Sequence, residues 1–348
     1  MRILVLGGTR FVGRVMVEQA ITAGHRVTTL NRGLTGSDVP GAEAIRGDRE
    51  NINDLGRLVT GREWDWVIDT SGYVPAVVGQ AARSLAGQAG AYLFLSTISV
   101  YPGWPEEAVS ESSTTYDCDT AIEDTAEEEA TWSAAQYGSY KAGCEQAVLQ
   151  GFDGAVTILR PGVILGPQEN VGRLTWWLNR INRGGEILAP GPPDRPIQPI
   201  DIRDLATFAL HCLATTTTGV FNTVAPQGRT TFAAMLSACA AAVGVSCELA
   251  WVKDEFLLRH GVRQWTELPL WRTHPGTWRV DATRAHDAGL RCRRLQKTVH
   301  DTWEWMLKEG GPPANARQDQ HGLSPEKERQ LLVESKQSVT RTLERPGA

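Results

Sequence analysis

Residues 1–13, MRILVLGGTRFVG, decide how the rest of the chain is read. Ile3, Leu4, Val5 and Leu6 form a short, wholly apolar, branched run that breaks at Gly7 and Gly8 and gives way to helical spacing. That is the order of a buried parallel strand feeding a helix. Glycines at 7 and 13 allow a tight turn and close approach of backbone to a pyrophosphate, and the N–H groups and dipole of the following helix favour that anion. The stretch predicts a dinucleotide site on Gly7, Thr9, Arg10, Phe11, Val12 and Gly13.

Working outward, apolar Val12, Val15, Met16 and Ile21 recur at helical spacing, and Gly24 stands where a helix end wants a left-handed residue. Residues 26–30 read as a second strand. An NAD site places an Asp or Glu at such a tip to accept from the adenosine ribose, whereas an NADP site has a basic residue near the 2′-phosphate. Here the tip is Asn31 and Arg32, with Arg10 as a second cation, so NADP(H) is expected over NAD(H). The competing reading is that both arginines are merely solvated. Residues 44–46 and 66–69 read as the third and fourth strands. Their tips, Asp48 with Arg49 and Thr70 with Ser71 and Gly72, are expected on the cofactor side, because ligands of open α/β sheets bind beyond the carboxyl ends of the strands. Asp48 serves equally well as a capping residue.

Residues 91–95 form a fifth strand, followed by hydroxyls at Ser96, Thr97 and Ser99. Further on stands Tyr137-Gly-Ser-Tyr-Lys141. On a helix, residues four apart share one face, so Tyr137 and Lys141 converge. A phenol with a pKa near 10 is a poor acid/base at neutral pH, but an adjacent ammonium favours the phenolate. About one such pair arises by chance in a chain of this length at average residue usage. The order argues against chance: glycine loop, hydroxyl after a fifth strand, Tyr-x-x-x-Lys, then a strand at 156–160 ending in Pro161 and Gly162.

LGGTRFVG, STISVY, YGSYK, LRPGVILGP and PIDIRDLA together resemble the extended short-chain dehydrogenase/reductases, the NAD-dependent epimerase/dehydratase family, over roughly residues 1–305. The resemblance implies a doubly wound parallel Rossmann-type sheet with a smaller, interleaved C-terminal substrate domain. It also implies Thr97, Tyr137 and Lys141 as the catalytic set, with Lys141 holding the nicotinamide ribose and Pro161 and Val163 lying along the nicotinamide. Ser99, Arg173 and Arg195 are then expected to meet substrate. Two departures stand out. The middle glycine of GxxGxxG is Arg10, which suits a loop reaching a 2′-phosphate. The Asp-Glu pair that follows the catalytic Thr of sugar 4,6-dehydratases is Ile98 and Ser99 here, which argues against that elimination.

The expected activity is NADP(H)-dependent reduction or dehydrogenation of a small-molecule carbonyl or secondary alcohol. The alternative is a nucleotide-sugar epimerase with tightly bound NAD, and a third reading is a non-catalytic RNA-binding relative. A net charge of −5 over 348 residues gives no general attraction to nucleic acid or anionic lipid. No apolar run reaches the roughly 20 residues of a membrane span, and no basic leader with a cleavage site precedes the first strand, so a cytoplasmic location is expected; the family resemblance implies a homodimer. Six scattered cysteines and seven dispersed histidines, without CxxC or HExxH, predict reduced thiols and no metal.

The dinucleotide domain is expected over residues 1–165 with a return at 198–225, the substrate domain over 166–197 and 226–310, and a helical tail over 311–348. Residues 190–199, rich in proline, are expected as a surface loop. No Lys or Arg occurs between Trp104 and Gln136, and the many acids there read as a solvated segment or as a lid over substrate. Twelve tryptophans read as core packing or as an aromatic pocket. Arg291, Arg293 and Arg294 read as an exposed basic helix face. Ser324, Pro325 and Glu326 make a helix start, with a helix to about 339.

Overall fold

The computed structural model describes residues 1–123, 132–311 and 321–343. Asp124, Glu127, Glu128 and Glu129 of the acidic run, Pro312 and Pro313, and residues 344–348 lie outside them.

The chain runs through β1 (Arg2–Leu6), α1 (Phe11–Thr22), β2 (Arg26–Asn31), β3 (Glu43–Arg46), α2 (Ile52–Val59), β4 (Trp64–Asp69), α3 (Pro75–Leu85), β5 (Ala89–Leu95), α4 (Ala134–Gly151) and β6 (Ala155–Pro161). It continues through β7 (Ile164–Leu165), α5 (Arg173–Asn182), β8 (Gly185–Pro190), β9 (Pro196–Ile197), β10 (Ile200–Asp201), α6 (Ile202–Ala214) and β11 (Gly219–Thr223). The last elements are β12 (Thr230–Thr231), α7 (Phe232–Val243), β13 (Cys247–Val252), α8 (Asp254–Arg259), α9 (Thr283–Asp287), α10 (Leu295–Glu309) and α11 (Pro325–Leu343).

Two compact units result. The first comprises Met1–Ile164, Gln198–Pro226 and Arg279–Cys292; the second comprises Leu165–Ile197, Gln227–Trp278 and Arg293–Ala348. The first is built on a seven-stranded sheet of order β11-β6-β5-β4-β1-β2-β3, with every neighbouring pair parallel. This is the doubly wound parallel sheet that the family resemblance implies, and β1 followed by α1 is the strand and helix that residues 1–13 predict. β1 shows why residues 3–6 are apolar throughout: Ile3 and Val5 enter a core with α1 and α6, while Leu4 and Leu6 enter a second core with α2, α3 and α4. Both faces are covered, so no polar alternation is possible. Gly24, with φ +84°, follows α1 in the left-handed conformation its position calls for.

Two expectations need correction. Residues 279–292, read as part of the second domain, pack with the first unit, where Val109 bridges Val280, and Asn222 Nδ2 and Asp281 N donate to Asp281 O (2.9 Å) and Val109 O (2.8 Å). The proline-rich stretch 190–199 forms no helix, but it is not all surface loop either. Its second half pairs with β12 and buries Ile197 and Gln198, whose Nε2 donates to Ala225 O and Val280 O and whose Oε1 accepts from Val280 N. In the described part of the acidic segment Glu106, Glu107, Asp117, Asp119 and Glu123 are exposed, as a solvated segment has them, while hydrogen bonds fix its course: Tyr116 N donates to Val100 O, Ala76 N to Ile122 O and Asn222 N to Glu111 Oε1.

In the second unit β8 pairs in parallel with β13, and Trp177 packs edge-on against Phe232 while its indole N–H donates to Pro269 O. Trp177 and Trp271 are wholly buried, as core tryptophans. Helix α11 begins as its sequence predicts, Ser324 Oγ accepting from Lys327 N, and runs four residues past the expected end. It belongs to this unit: Glu328, buried, accepts from Arg180 Nε and Leu188 N. All six cysteines are free thiols. No helix among the described residues is long and apolar enough to cross a membrane.

Candidate functional site

Because the sheet strands are parallel, the residues that leave β1, β4, β5 and β6 collect along one sheet edge. Gly7 and Gly8 turn the chain with φ of +103° and +99°. At Gly13 a Cβ would stand 2.7 Å from Thr70 Oγ1 and 2.9 Å from Gly8 N, so only glycine lets α1 approach this loop. Arg10, in place of the family's middle glycine, has extended backbone (φ −135°), which any residue adopts. The first turn of α1 carries no side-chain cap. Thr70 Oγ1 donates to Leu6 O, closing the turn after β4 onto β1. The loop after β2 folds over this segment: Thr9 and Thr35 share a hydroxyl contact of 2.7 Å, Arg10 Nε donates to Thr35 O, and Arg14 Nη1 donates to Ser37 O.

At the β2 tip, Asn31 is buried and fully engaged. Its Oδ1 accepts from Gly33 N (2.9 Å) and Arg46 Nη1 (2.7 Å), and its Nδ2 donates to Thr29 Oγ1 (3.1 Å) and Asp38 Oδ1 (3.2 Å). Arg46 pairs with Asp38, and Arg32 lies 3.7 Å from Asp48. Each of these two cations therefore faces a carboxylate. Arg49, expected among the cofactor contacts, instead turns inward, donating from both terminal nitrogens to Asp69 (2.6 and 2.8 Å) and from Nη1 to Ser71 Oγ (3.2 Å). Tyr92 OH donates to the same carboxylate. Burial by itself pushes the Asp69 carboxyl up, but the Arg49 guanidinium outweighs it and holds the group below its ordinary range. Burial drives the Tyr92 phenol well above 10, and Asp69 adds to that rise.

Thr97 caps the turn after β5, its Oγ1 accepting from Ser99 N (3.2 Å) and donating to Ser99 Oγ (3.3 Å). Helix α4 starts at a Ser133 cap and carries Tyr137, half-buried, and Lys141, buried, one turn apart. At Gly138 a Cβ would fall 2.1 Å from Ser99 O, so the turn bearing Tyr137 lies directly against the turn bearing Thr97 and Ser99. Lys141 Nζ donates to Gly72 O (2.7 Å) and Leu95 O (2.6 Å), bridging the segments after β4 and at the end of β5, with the Phe94 ring 4.2 Å away. Burial lowers its amine from the ordinary value, against the opposing pull of Cys144, Asp69 and Glu145. Pro161 ends β6, and Val163 O accepts from Ile200 N.

A buried network behind this edge was not anticipated. Glu145, one turn beyond Lys141, accepts from Arg160 Nε (2.9 Å) and from Ser96 Oγ; Arg160 Nη1 donates to Tyr101 OH, which donates to Asn222 Oδ1. The signal was present in the sequence: a glutamate on the helix face of Lys141, and an arginine closing an apolar strand. Charges in such places are buried only when paired.

Arg173 and Arg195 lie in the second unit and have different surroundings. Arg173 opens α5 with its guanidinium 5.4 Å from the Trp265 ring, which Arg272 also approaches at 4.5 Å. Trp265 thus faces two guanidinium groups. Arg195 Nη2 pairs with Asp254, which also accepts from the Trp271 indole N–H. Among the described residues no group of three or more His, Cys, Asp or Glu could hold a metal.

The family described as NAD dependent epimerase/dehydratase matches residues 3–223. A chloroplast stem-loop binding protein of 41 kDa b from Arabidopsis thaliana is 25% identical over 266 residues, covering 70% of this chain and 63% of that protein. The chain therefore spans less than two thirds of that relative's length. Among solved structures, the enzyme WbmH of Bordetella bronchiseptica in complex with NAD+ is similar with a TM-score of 0.66 at 13% identity, over 89% of this chain and 99% of that one. The UDP-glucose 4-epimerase of Thermotoga maritima with UDP-glucose is similar with a TM-score of 0.62 at 18% identity, over 89% and 99%. At these identities the two structures bear on the fold.

Proposed function

From the chain's membership of the NAD-dependent epimerase/dehydratase family, the extended short-chain dehydrogenase/reductases, we propose that it catalyses redox chemistry at a carbonyl or secondary-alcohol carbon of a small molecule, with NADP(H) as its preferred dinucleotide. The observation that carries this is the contact of Gly138 with Ser99 O, which sets the Tyr137 turn against the Thr97 turn while Lys141 is held one helical turn away. The glycine turn and the uncapped start of α1 suit a pyrophosphate, so Gly7, Thr9, Arg10, Phe11, Val12 and Gly13 would hold it. When bound, the nicotinamide supplies or accepts the hydride. Tyr137 Oη exchanges a proton with the substrate oxygen, and the Thr97 hydroxyl orients that oxygen. Lys141 spends two N–H donors on Gly72 O and Leu95 O, leaving the third for a ribose hydroxyl or the phenol. Arg32, with Arg10, supports the NADP(H) preference. Arg195, whose Nη1 is buried without a hydrogen-bond partner, and Arg173 are proposed to meet an anionic part of the substrate.

Purified protein screened against aldehydes and ketones with NADPH, and against sugar alcohols with NADP+, tests this. Tyr137→Phe is expected to lose turnover by about 10²- to 10⁴-fold with dinucleotide affinity unchanged; full turnover in that variant overturns the mechanism. A second reading, epimerisation of a nucleotide sugar with retained NAD, draws on the similarity to UDP-glucose 4-epimerase. Stoichiometric NAD released on denaturation would favour it. The Arabidopsis relative is named a stem-loop binding protein; salt-sensitive binding of stem-loop RNA by a chain that ignores dinucleotides would favour a third reading, a non-catalytic RNA-binding protein. We place the enzyme in the cytoplasm as a homodimer, which sedimentation of the purified protein tests.

A further inference from the structure

Resting on the dinucleotide reading above, we propose that Asp38 determines cofactor selectivity, as an internal anion held in the position that a 2′-phosphate would claim. In this fold the adenosine ribose reaches the tip of the second strand, where an acid accepts from the 2′-hydroxyl or an arginine takes the 2′-phosphate. Here that tip is Asn31, and no acid could replace it cheaply. Its Nδ2 donates to Asp38 Oδ1 at 3.2 Å, so a carboxylate at 31 would set two like charges in contact. The asparagine is thus accounted for by Asp38 as well as by any phosphate.

Asp38 also holds both ends of the Arg46 guanidinium, Nη1 to Oδ1 at 2.9 Å and Nη2 to Oδ2 at 2.5 Å, the two-pronged geometry with which arginine binds phosphate. Arg46 lies flat along the loop: a Cβ on Gly33 would stand 2.9 Å from its Nε. The pair is within reach of solvent, with the side chains 52% and 30% exposed, so an incoming anion can displace the carboxylate. A 2′-phosphate must break the Asp38–Arg46 pair to gain Arg46 and then stands beside a displaced negative charge, whereas a 2′-hydroxyl leaves the pair intact and can donate to it. Asp38 therefore limits the preference for NADP(H), and Arg46 is the cation for which the two anions compete.

The test is titration of the wild-type chain, Asp38→Asn and Arg46→Gln with NADPH and NADH, and with adenosine 2′,5′-bisphosphate and 5′-AMP as probes free of nicotinamide. Asp38→Asn keeps the shape of the side chain. It is expected to tighten NADPH and the bisphosphate at least about 10-fold, with NADH and AMP moving less than about 3-fold. Arg46→Gln is expected to weaken NADPH and the bisphosphate by a similar factor and to spare NADH and AMP. An unchanged NADPH-to-NADH ratio in Asp38→Asn, in a chain that binds both, overturns this inference and leaves the functional reading standing. A wild-type chain that binds neither dinucleotide overturns both.

Discussion

At Asp69 the sequence places an acid at the end of an apolar run, WVID, and the fold buries it completely beside Tyr92 and the largely buried Arg49. Removing one member leaves the other charge in a dry interior. Asp69→Asn is expected to cost about 3–5 kcal/mol of unfolding free energy at neutral pH, measured by urea denaturation. The carboxyl is held below its ordinary range in the folded chain, so the stability it confers is present above the unfolded value near 3.9. It is lost as pH falls through the lower folded value. Wild type should therefore lose stability in acid more steeply than Asp69→Asn does; parallel acid limbs for the two would show that Asp69 is not so held. The same residue-scale logic separates Arg49, whose charge is consumed by this pair, from Arg46 and Asp38, whose pair is open to solvent.

At the scale of elements, glycine positions distinguish tolerance from constraint. Gly138 lies inside α4, where alanine would ordinarily be the better helix former by about 1 kcal/mol. Its Cβ would fall 2.1 Å from Ser99 O, however, so Gly138→Ala must push the helix off the turn. We expect a net loss of about 1–3 kcal/mol and more than a 10-fold loss of turnover, read by thermal unfolding and by the carbonyl assay. Gly56, inside α2, has nothing within 4 Å of its Cβ position, and Gly56→Ala should stabilise by roughly 0.5–1 kcal/mol without touching activity. Equal effects of the two substitutions would discredit the contact as the feature that places Tyr137.

For the molecule as a whole, α11 is held in place by charged partners in the second unit. Glu328, buried between Arg180 Nε and Leu188 N, ties residues 325–343 to the second unit. Glu328→Gln is expected to remove about 3–5 kcal/mol, because Arg180 is left charged and buried. A midpoint of chemical unfolding within error of wild type would mean that the helix is dispensable for stability. On the functional side, the net charge of −5 leads us to expect at most weak stem-loop RNA binding that disappears at moderate salt; gel shift across salt concentrations measures it.

The sheet was legible in the sequence because both faces of β1 and β4 are covered, which forces the apolar runs at residues 3–6 and 66–68 and leaves glycines where the chain must turn. Tyr137 and Lys141 were legible because helical periodicity is local. Which charges meet was not. Arg49 finds Asp69 across 20 residues, Glu145 finds Arg160, and Asn31 and Arg46 both find Asp38, all through the packing of separate elements and loops that no local pattern encodes. For the same reason residues 279–292 rejoin the first unit and 190–199 turn inward, since burial there is decided by long-range pairing with Val109, Val280 and β12. Period and composition report what one segment needs to bury; tertiary structure alone decides what is buried against it, and so which ionic groups are left to face a ligand.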